Sequence, residues 1–280
     1  MLFLDAPTWH ARRAAHEARV DEWIQPHLAR HKRGEKHPVL DFLFTYYSYR
    51  PAHLRRWHPG AFVVLEGPSE LGHDACLDVP AIVHKRRSSL EWIRDLMAAT
   101  ASRPAHLGCF GMHEWAMVYR QTQEELRHNA WPLRLPARDG ALLVEERGVR
   151  CSHFDAFRFF TAPARPLNVL QPTRQSQQDL EQPGCLHVNM DVYKWAYKLS
   201  PFVPGELVAD CFALARDIRT LDMRAGPYDL AELGYPPVLV ETPAGRAEYT
   251  SMQKAFAVRA EPLRAALIAA VTRVLDDRSS

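Results

Sequence analysis

After Pro204 and Gly205, the apolar positions Leu207, Cys211, Leu214, Ile218 and Leu221 recur at steps of 4, 3, 4 and 3. That spacing places one stripe along the inner face of an α-helix. A second helix is predicted at Ser88 and Glu91, an S-x-x-E capping box that opens Leu90, Ile93, Leu96 and Met97 and closes near Pro104. Val20, Trp23, Ile24 and Leu28 share a face within the polar segment 12–33, which predicts a helix with Pro26 as a point of kinking. Beyond Gly245, the positions Met252, Phe256, Leu263, Leu267, Val271 and Val274 predict a long C-terminal helix that Pro262 divides or restarts, ending in a frayed charged tail over 276–280. Strand signals are short apolar runs bounded by Gly or Pro at 61–65, 141–144 and 237–241. The expected fold is mainly α with a minor β component (α+β), organised as a single compact domain over 1–280, because no repeat, low-complexity linker or charge block marks a boundary.

Composition narrows the chemistry. With 47% apolar and 24% charged residues the chain can bury a sizeable core. Lys and Arg number 35 against 33 Asp and Glu, a net charge of +2, so any nucleic-acid surface is a local patch and not a property of the whole molecule. The five cysteines, Cys76, Cys109, Cys151, Cys185 and Cys211, are odd in number and form no C-x-x-C pair, which argues against a zinc ribbon and for a reducing compartment. The apolar run before Asp5 is too short for a signal-peptide core and no stretch approaches a membrane span, so a cytoplasmic location without membrane partners is expected. Nothing in the sequence indicates an oligomeric state.

Four stretches carry candidate chemistry. HPVLDFLFTYYSYRPAHLRRWHPG, residues 37–60, reads as a helix with Leu40, Leu43, Phe44 and Tyr47 on one buried face, or as a ligand surface in which Tyr46, Tyr49 and Trp57 stack against bases while Arg50, Arg55 and Arg56 neutralise phosphates. GCFGMHEWAMVYR, residues 108–120, places His113, Glu114 and Trp115 where a glycine loop feeds a helix; position 117 is Met, so it is not the H-E-x-x-H zinc motif. A Glu beside a Trp can have its proton affinity raised by desolvation and serve as a general acid or base, or it can be a salt-bridged residue at a helix start. RCSHFDAFRFF and GCLHVNMDVYKWAY, if extended, put His153 with Asp155 on one face and His187, Asn189 and Asp191 on another. Alternatively Asn189 caps a helix that starts at Met190. Between them runs the proline-rich segment 160–184, with Arg174 among its polar residues, read as a ligand-binding loop or as surface.

Together, DFLFTYYSYRPAHLRRWHPG, CFGMHEWAMVYR, HFDAFRFFT, HVNMDVYKWA and RTLDMRAGPYDL resemble an actinobacterial family designated 3-methyladenine DNA glycosylase, and the resemblance covers nearly the whole chain. It implies a DNA base-excision enzyme, a hydrolase acting on alkylated purines, with DNA as partner and no cofactor. Such chemistry calls for an aromatic pocket, a carboxylate and phosphate-binding arginines. Tyr46, Tyr47, Trp57 and Trp115 would form the pocket, Glu114, Asp191 and His113 the catalytic set, and Arg50 and Arg56 the phosphate contacts. His153, Asp155, Arg174, His187 and Asn189 would complete the substrate contacts. The L-P-G-x-G hairpin and following Asp of helix-hairpin-helix glycosylases are absent, so no catalytic residue is taken from that superfamily. Two other classes stay open: a metal-dependent oxygenase or hydrolase using His153, Asp155, His187 and Asp191, and a binding protein for a nucleotide or other small ligand. No metal is expected to be required.

Overall fold

A computed structural model describes residues 1–67 and 75–277. By contact density the chain divides into two units, the first comprising Met1–Ala98, Asp191–Ala215 and Pro262–Ser280, the second Ala99–Met190 and Arg216–Glu261. Both are built from helices, as the apolar periodicity predicts, and among the described residues the minor strand component lies in unit 1.

In unit 1, helix α1 (Ala6–Lys32) starts six residues before the expected segment, because Asp5 caps it by accepting from the Thr8 amide at 2.9 Å and Pro7 suits the first turn. Pro26 lies inside α1 without ending it. The strands β1 (Leu2–Leu4), β2 (Val63–Leu65) and β3 (Ala75–Cys76) form one small sheet in that order. β1 runs parallel to β2 with Leu2 opposite Val63, and β3 is antiparallel to β2. Helix α1 lies in the crossover between β1 and β2, the type of connection that a parallel pair requires. The segment 37–60 is not one helix. It forms α2 (Phe42–Tyr46) and α3 (Pro51–Arg55), because Pro51 forces Arg50 into an extended conformation at ψ 147°.

Helix α4 (Val79–Ala101) begins nine residues before Ser88: Asp78 accepts from the Ala81 amide and Pro80 occupies the first turn, so Ser88 and Glu91 are mid-helix residues. The run 141–144 belongs to α6 (Ala137–Arg147) of unit 2, where Leu143 and Val144 turn inward and Leu142 outward. The run 237–241 is irregular, with the Val238 amide donating to the Arg224 carbonyl. Helix α10 (Gly205–Ala225) buries Cys211, Leu214, Ile218 and Leu221 as the stripe predicts, while Leu207 is half-buried and Val208 takes the inward position. Helix α11 (Pro243–Asp276) passes through Pro262 unbroken; of the tail expected to fray, 278–280 lie outside the described residues. Unit 2 also contains α5 (Met112–Ala116), α7 (Phe154–Phe157) and α8 (Gln177–Leu180), and α9 (Leu186–Leu199) begins there. Among the described residues no helix is long and apolar enough to cross a membrane.

The aromatic segment of unit 1 is core. Tyr47 is 3% exposed and donates its hydroxyl to Asp191 Oδ1 at 2.7 Å. Its ring meets Tyr193 edge-on at 5.4 Å, and Tyr193 in turn packs on Phe212. Trp57, 7% exposed, donates Nε1 to Glu206 Oε1 at 2.8 Å and stacks on Trp9. Nearby, burial followed by the neighbouring His16 pulls His58 down to about 4, against an upward pull from Glu206. The folded state therefore holds His58 neutral, while the unfolded chain takes up a proton near pH 6.5. Stability from this group is complete above pH 6.5 and is lost as pH falls toward 4. Melting temperatures measured across that range should fall with pH, and His58→Gln should flatten the slope; an unchanged slope would contradict this assignment.

Candidate functional site

The loop ahead of α5 turns through two left-handed residues, Phe110 at φ 48° and Gly111 at φ 73°. Such a conformation costs a non-glycine residue roughly 1–2 kcal/mol, and strain of this kind concentrates at functional sites. A side chain at Gly111 would press on Ala225 Cβ at 3.3 Å and on the Tyr249 ring at 3.4 Å, so the position needs glycine for space as well as for φ. The turn brings Cys109 back over His113, with Sγ 3.3 Å from Nδ1. On its other side His113 Nε2 lies 2.8 Å from Asp222 Oδ1. Asp222 is fully buried on α10 and accepts from Arg219 Nη1, one turn earlier, at 2.9 Å; the same guanidinium nitrogen reaches Glu114 Oε1 at 3.4 Å. Thiol, imidazole, carboxylate and guanidinium thus stand in one unbroken line.

Electrostatics follow from that order. Burial pulls the His113 imidazole toward neutrality, and the charge of Asp222, with that of Cys109, reverses this and holds it well above the usual histidine range. Burial likewise pushes the Cys109 thiol up, but the charge and hydrogen bond of His113 bring it below its ordinary value. Asp222 is held low: burial opposes this, and the charge and hydrogen bond of His113, with the charge of Arg219, outweigh it. Glu114 goes the other way, raised to about 7 by burial and then by Asp222, with Arg219 and His113 in partial opposition. Burial leaves His187 neutral, lowered to about 3. The two carboxyls, differing in environment, are split into one firmly ionised group and one that titrates near neutrality.

Cys109 and His113 line a cavity of about 560 Å³. Its walls include Leu107, Val169, Leu170, Leu180 and Leu186, with Arg103, His106, Arg150 and Asp179 as charged or polar groups. Three of the five cysteines, Cys109, Cys151 and Cys185, meet on this cavity, and burial raises the thiols of the latter two. Gln253 also lines it; its Nε2 donates to the Gly184 carbonyl, and its buried Oε1 has no donor. The size and the largely apolar wall with a few polar groups are those of a small-molecule site.

The residues singled out from sequence divide between the two units. His113, Glu114 and His187 converge in unit 2, and His187 packs edge-on against His113 at 4.5 Å and parallel to His153 at 5.4 Å. The expected extended faces do not form. His153 is the cap of α7, its Nδ1 accepting from the Ala156 amide, while Asp155 in the first turn pairs with Arg158 at 3.3 Å. His187, Asn189 and Asp191 lie on α9, which begins at Leu186 and not at Met190; Asn189 donates to the Pro183 carbonyl. Asp191 serves Tyr47 and Lys194 inside unit 1. The grouping of His153, Asp155, His187 and Asp191 is therefore replaced by His113, Glu114, His187 and Asp222, whose donor atoms lie within 4.8 Å of one another. Trp115 is buried with Nε1 on the Ala225 carbonyl, and Arg134 lies over its ring. Tyr47 and Trp57 are committed to the core of unit 1 instead of a stacking surface; Tyr46 stacks on Phe42, and Arg50 and Arg56 are exposed. Arg174 is exposed with its guanidinium over Phe154. The proline-rich segment 160–184 does supply cavity wall, through Val169, Leu170, Asp179, Leu180 and Gln182.

Sequence reasoning missed Cys109, Arg219, Asp222, Tyr249 and Gln253. Two signals were present: Cys109 stands four residues before His113, and Asp222 follows Ile218 by four on the inward stripe, where a carboxylate demands a partner. Compared with known proteins, the chain matches no family model, no curated protein and no solved structure.

The buried Arg219 balances two carboxylates, so removing it strands charge in the core. Arg219→Met should lower stability by about 3–5 kcal/mol in urea unfolding at neutral pH. A loss below about 1 kcal/mol would contradict a buried guanidinium on which both carboxylates depend.

Proposed function

We propose that the protein is a thiol-dependent enzyme that transfers or hydrolyses the acyl group of a small ester or thioester held in the unit 2 cavity. The observation that carries this reading is the line from Cys109 Sγ through His113 to Asp222, at 3.3 and 2.8 Å, opening at its thiol end on the cavity. Nucleophile and base within hydrogen-bonding reach, with the base oriented by a third group, is the arrangement that activates a weak nucleophile. Asp222 holds His113 with Nδ1 toward the sulfur and stabilises the imidazolium. In the reaction the Cys109 sulfur bonds to the acyl carbon, the bond to the leaving oxygen or sulfur breaks, and the proton on His113 Nδ1 goes to the leaving group. Water or a second substrate, deprotonated by His113, then attacks the thioester and returns Cys109 as thiolate. Gln253 Oε1, an acceptor without a donor, favours a substrate that presents an N–H or O–H.

The DNA N-glycosylase reading implied by the family resemblance would rely on Glu114, whose carboxyl titrates near neutrality, with Arg50 and Arg56 as exposed cations. The burial of Tyr47 and Trp57 favours the thiol reading over it.

One set of assays separates the two. At pH 7 iodoacetamide should modify Cys109 well ahead of Cys151 and Cys185, read by peptide mass spectrometry. His113→Gln should slow that reaction roughly ten- to thirtyfold, since an ordinary thiol near pKa 8.5 is only a few per cent thiolate at pH 7. A panel of small esters and thioesters should be cleaved by the wild type and not by Cys109→Ser. Cys109 reacting no faster than a free thiol would overturn the proposal, and release of 3-methyladenine from methylated duplex DNA by Cys109→Ser would favour the glycosylase.

A further inference from the structure

The cluster behind the thiol has more coordinating capacity than the line from Cys109 to Asp222 uses. His113, Glu114, His187 and Asp222 are all buried, and one donor atom from each lies within 4.8 Å of the others. Donors bound to one ion at ordinary transition-metal distances of about 2.0–2.2 Å lie at most about 4.4 Å apart, so the four need only a small inward shift to share an ion. The four come from three separate stretches of unit 2: His113 and Glu114 on α5, His187 at the start of α9, and Asp222 on α10.

A second observation, independent of the spacing, points to a ligand. His187 is 8% exposed, its Nδ1 has no hydrogen-bond partner, and its Nε2 comes no nearer to a carboxylate than 3.8 Å from Asp222 Oδ2. A buried imidazole nitrogen without a hydrogen-bond partner costs free energy unless something satisfies it. Arg219 occupies one oxygen of each carboxylate, Glu114 Oε1 and Asp222 Oδ2, which fixes both groups; the other oxygen of Asp222, Oδ1, faces His113 Nε2, so an ion would enter between those two atoms. Two imidazoles with two carboxylates is a mixed nitrogen and oxygen donor set, which suits zinc-class divalent ions better than magnesium or calcium.

From this geometry we infer that unit 2 binds one zinc-class divalent cation through His113, Glu114, His187 and Asp222. The inference does not depend on Cys109 acting as a nucleophile. It does bear on that role, because coordination would draw His113 Nε2 and Asp222 away from their mutual hydrogen bond. An occupied site and an intact line to Cys109 exclude one another, so the ion is an inhibitor of the thiol.

The test uses the full chain, freed of metal by chelator dialysis and checked by circular dichroism. Zinc chloride titrated into the wild type calorimetrically should bind at one ion per chain. Cobalt(II) should show visible d–d bands without a sulfur-to-metal charge-transfer band. His187→Ala should weaken binding by more than about a hundredfold, beyond what loss of an outer-shell partner brings. Glu114→Gln, which keeps the shape if the alanine variant fails to fold, should weaken it at least about tenfold. Cys109→Ser should bind zinc as the wild type does, and zinc-saturated wild type should react with iodoacetamide at Cys109 more slowly than the metal-free protein. Absence of stoichiometric binding, or wild-type affinity in both His187→Ala and Glu114→Gln, would overturn the site. A charge-transfer band that vanishes in Cys109→Ser would place the ion on the thiol and overturn it equally.

Discussion

A fully buried carboxylate, Asp222, governs the chemistry of unit 2. An isolated carboxylate in that position would be prohibitively costly, so the surroundings have to supply positive charge and hydrogen bonds. Two groups do so from opposite sides: Arg219, one helical turn earlier on α10, and His113 from α5. Each is in turn constrained by what it gives. Arg219 extends to Glu114, and His113, held by its Nε2, presents Nδ1 to Cys109. The left-handed turn at Phe110 and Gly111 is what allows the chain to place both Cys109 and His113 on this line.

The arrangement explains why neighbouring groups of the same kind behave differently. Glu114 and Asp222 are both buried carboxyls that Arg219 reaches, yet the one that also has His113 in hydrogen-bond contact stays ionised and the other is raised to about 7. Cys109, Cys151 and Cys185 share a cavity, yet only Cys109 has an imidazole against its sulfur, and burial alone makes the other two poor nucleophiles. Position relative to one charge, and not residue type, sorts the reactive groups from the inert ones.

Much of the scaffold was legible in the sequence. The stripe from Cys211 to Leu221 is buried as its spacing requires, and of the C-terminal pattern Phe256, Leu267, Val271 and Val274 are buried while Met252 and Leu263 are half-buried, because helical amphipathicity is a local property. Helix starts were less legible: Asp5 and Asp78 outcompeted the later signals at Arg12 and Ser88, since a single capping side chain moves a boundary by several residues. The run 141–144 read as strand because a short apolar run does not distinguish strand from helix; only Leu142 turning outward does. At the site, His113, Glu114 and His187 were identified as chemistry-bearing residues, but their partners were not. Asp222 lies 109 residues from His113 along the chain, and nothing local in the sequence predicts such a pairing. The aromatic-rich segment 37–60 misled for the opposite reason: its composition suits base stacking, while Tyr47 and Trp57 spend their hydroxyl and indole donors on Asp191 and Glu206 inside a core.

On the proposed thiol chemistry, Asp222 holds His113 as a cation between a carboxylate and a thiolate. Nitrogen-15 NMR of the full chain labelled at the histidine rings tests it directly, with the His113 signals identified by their loss in His113→Gln. At neutral pH both ring nitrogens of His113 should carry protons, with the Nε2 proton shifted downfield by its hydrogen bond to Asp222. A single protonated nitrogen, the signature of a neutral imidazole beside a neutral thiol, would contradict the account.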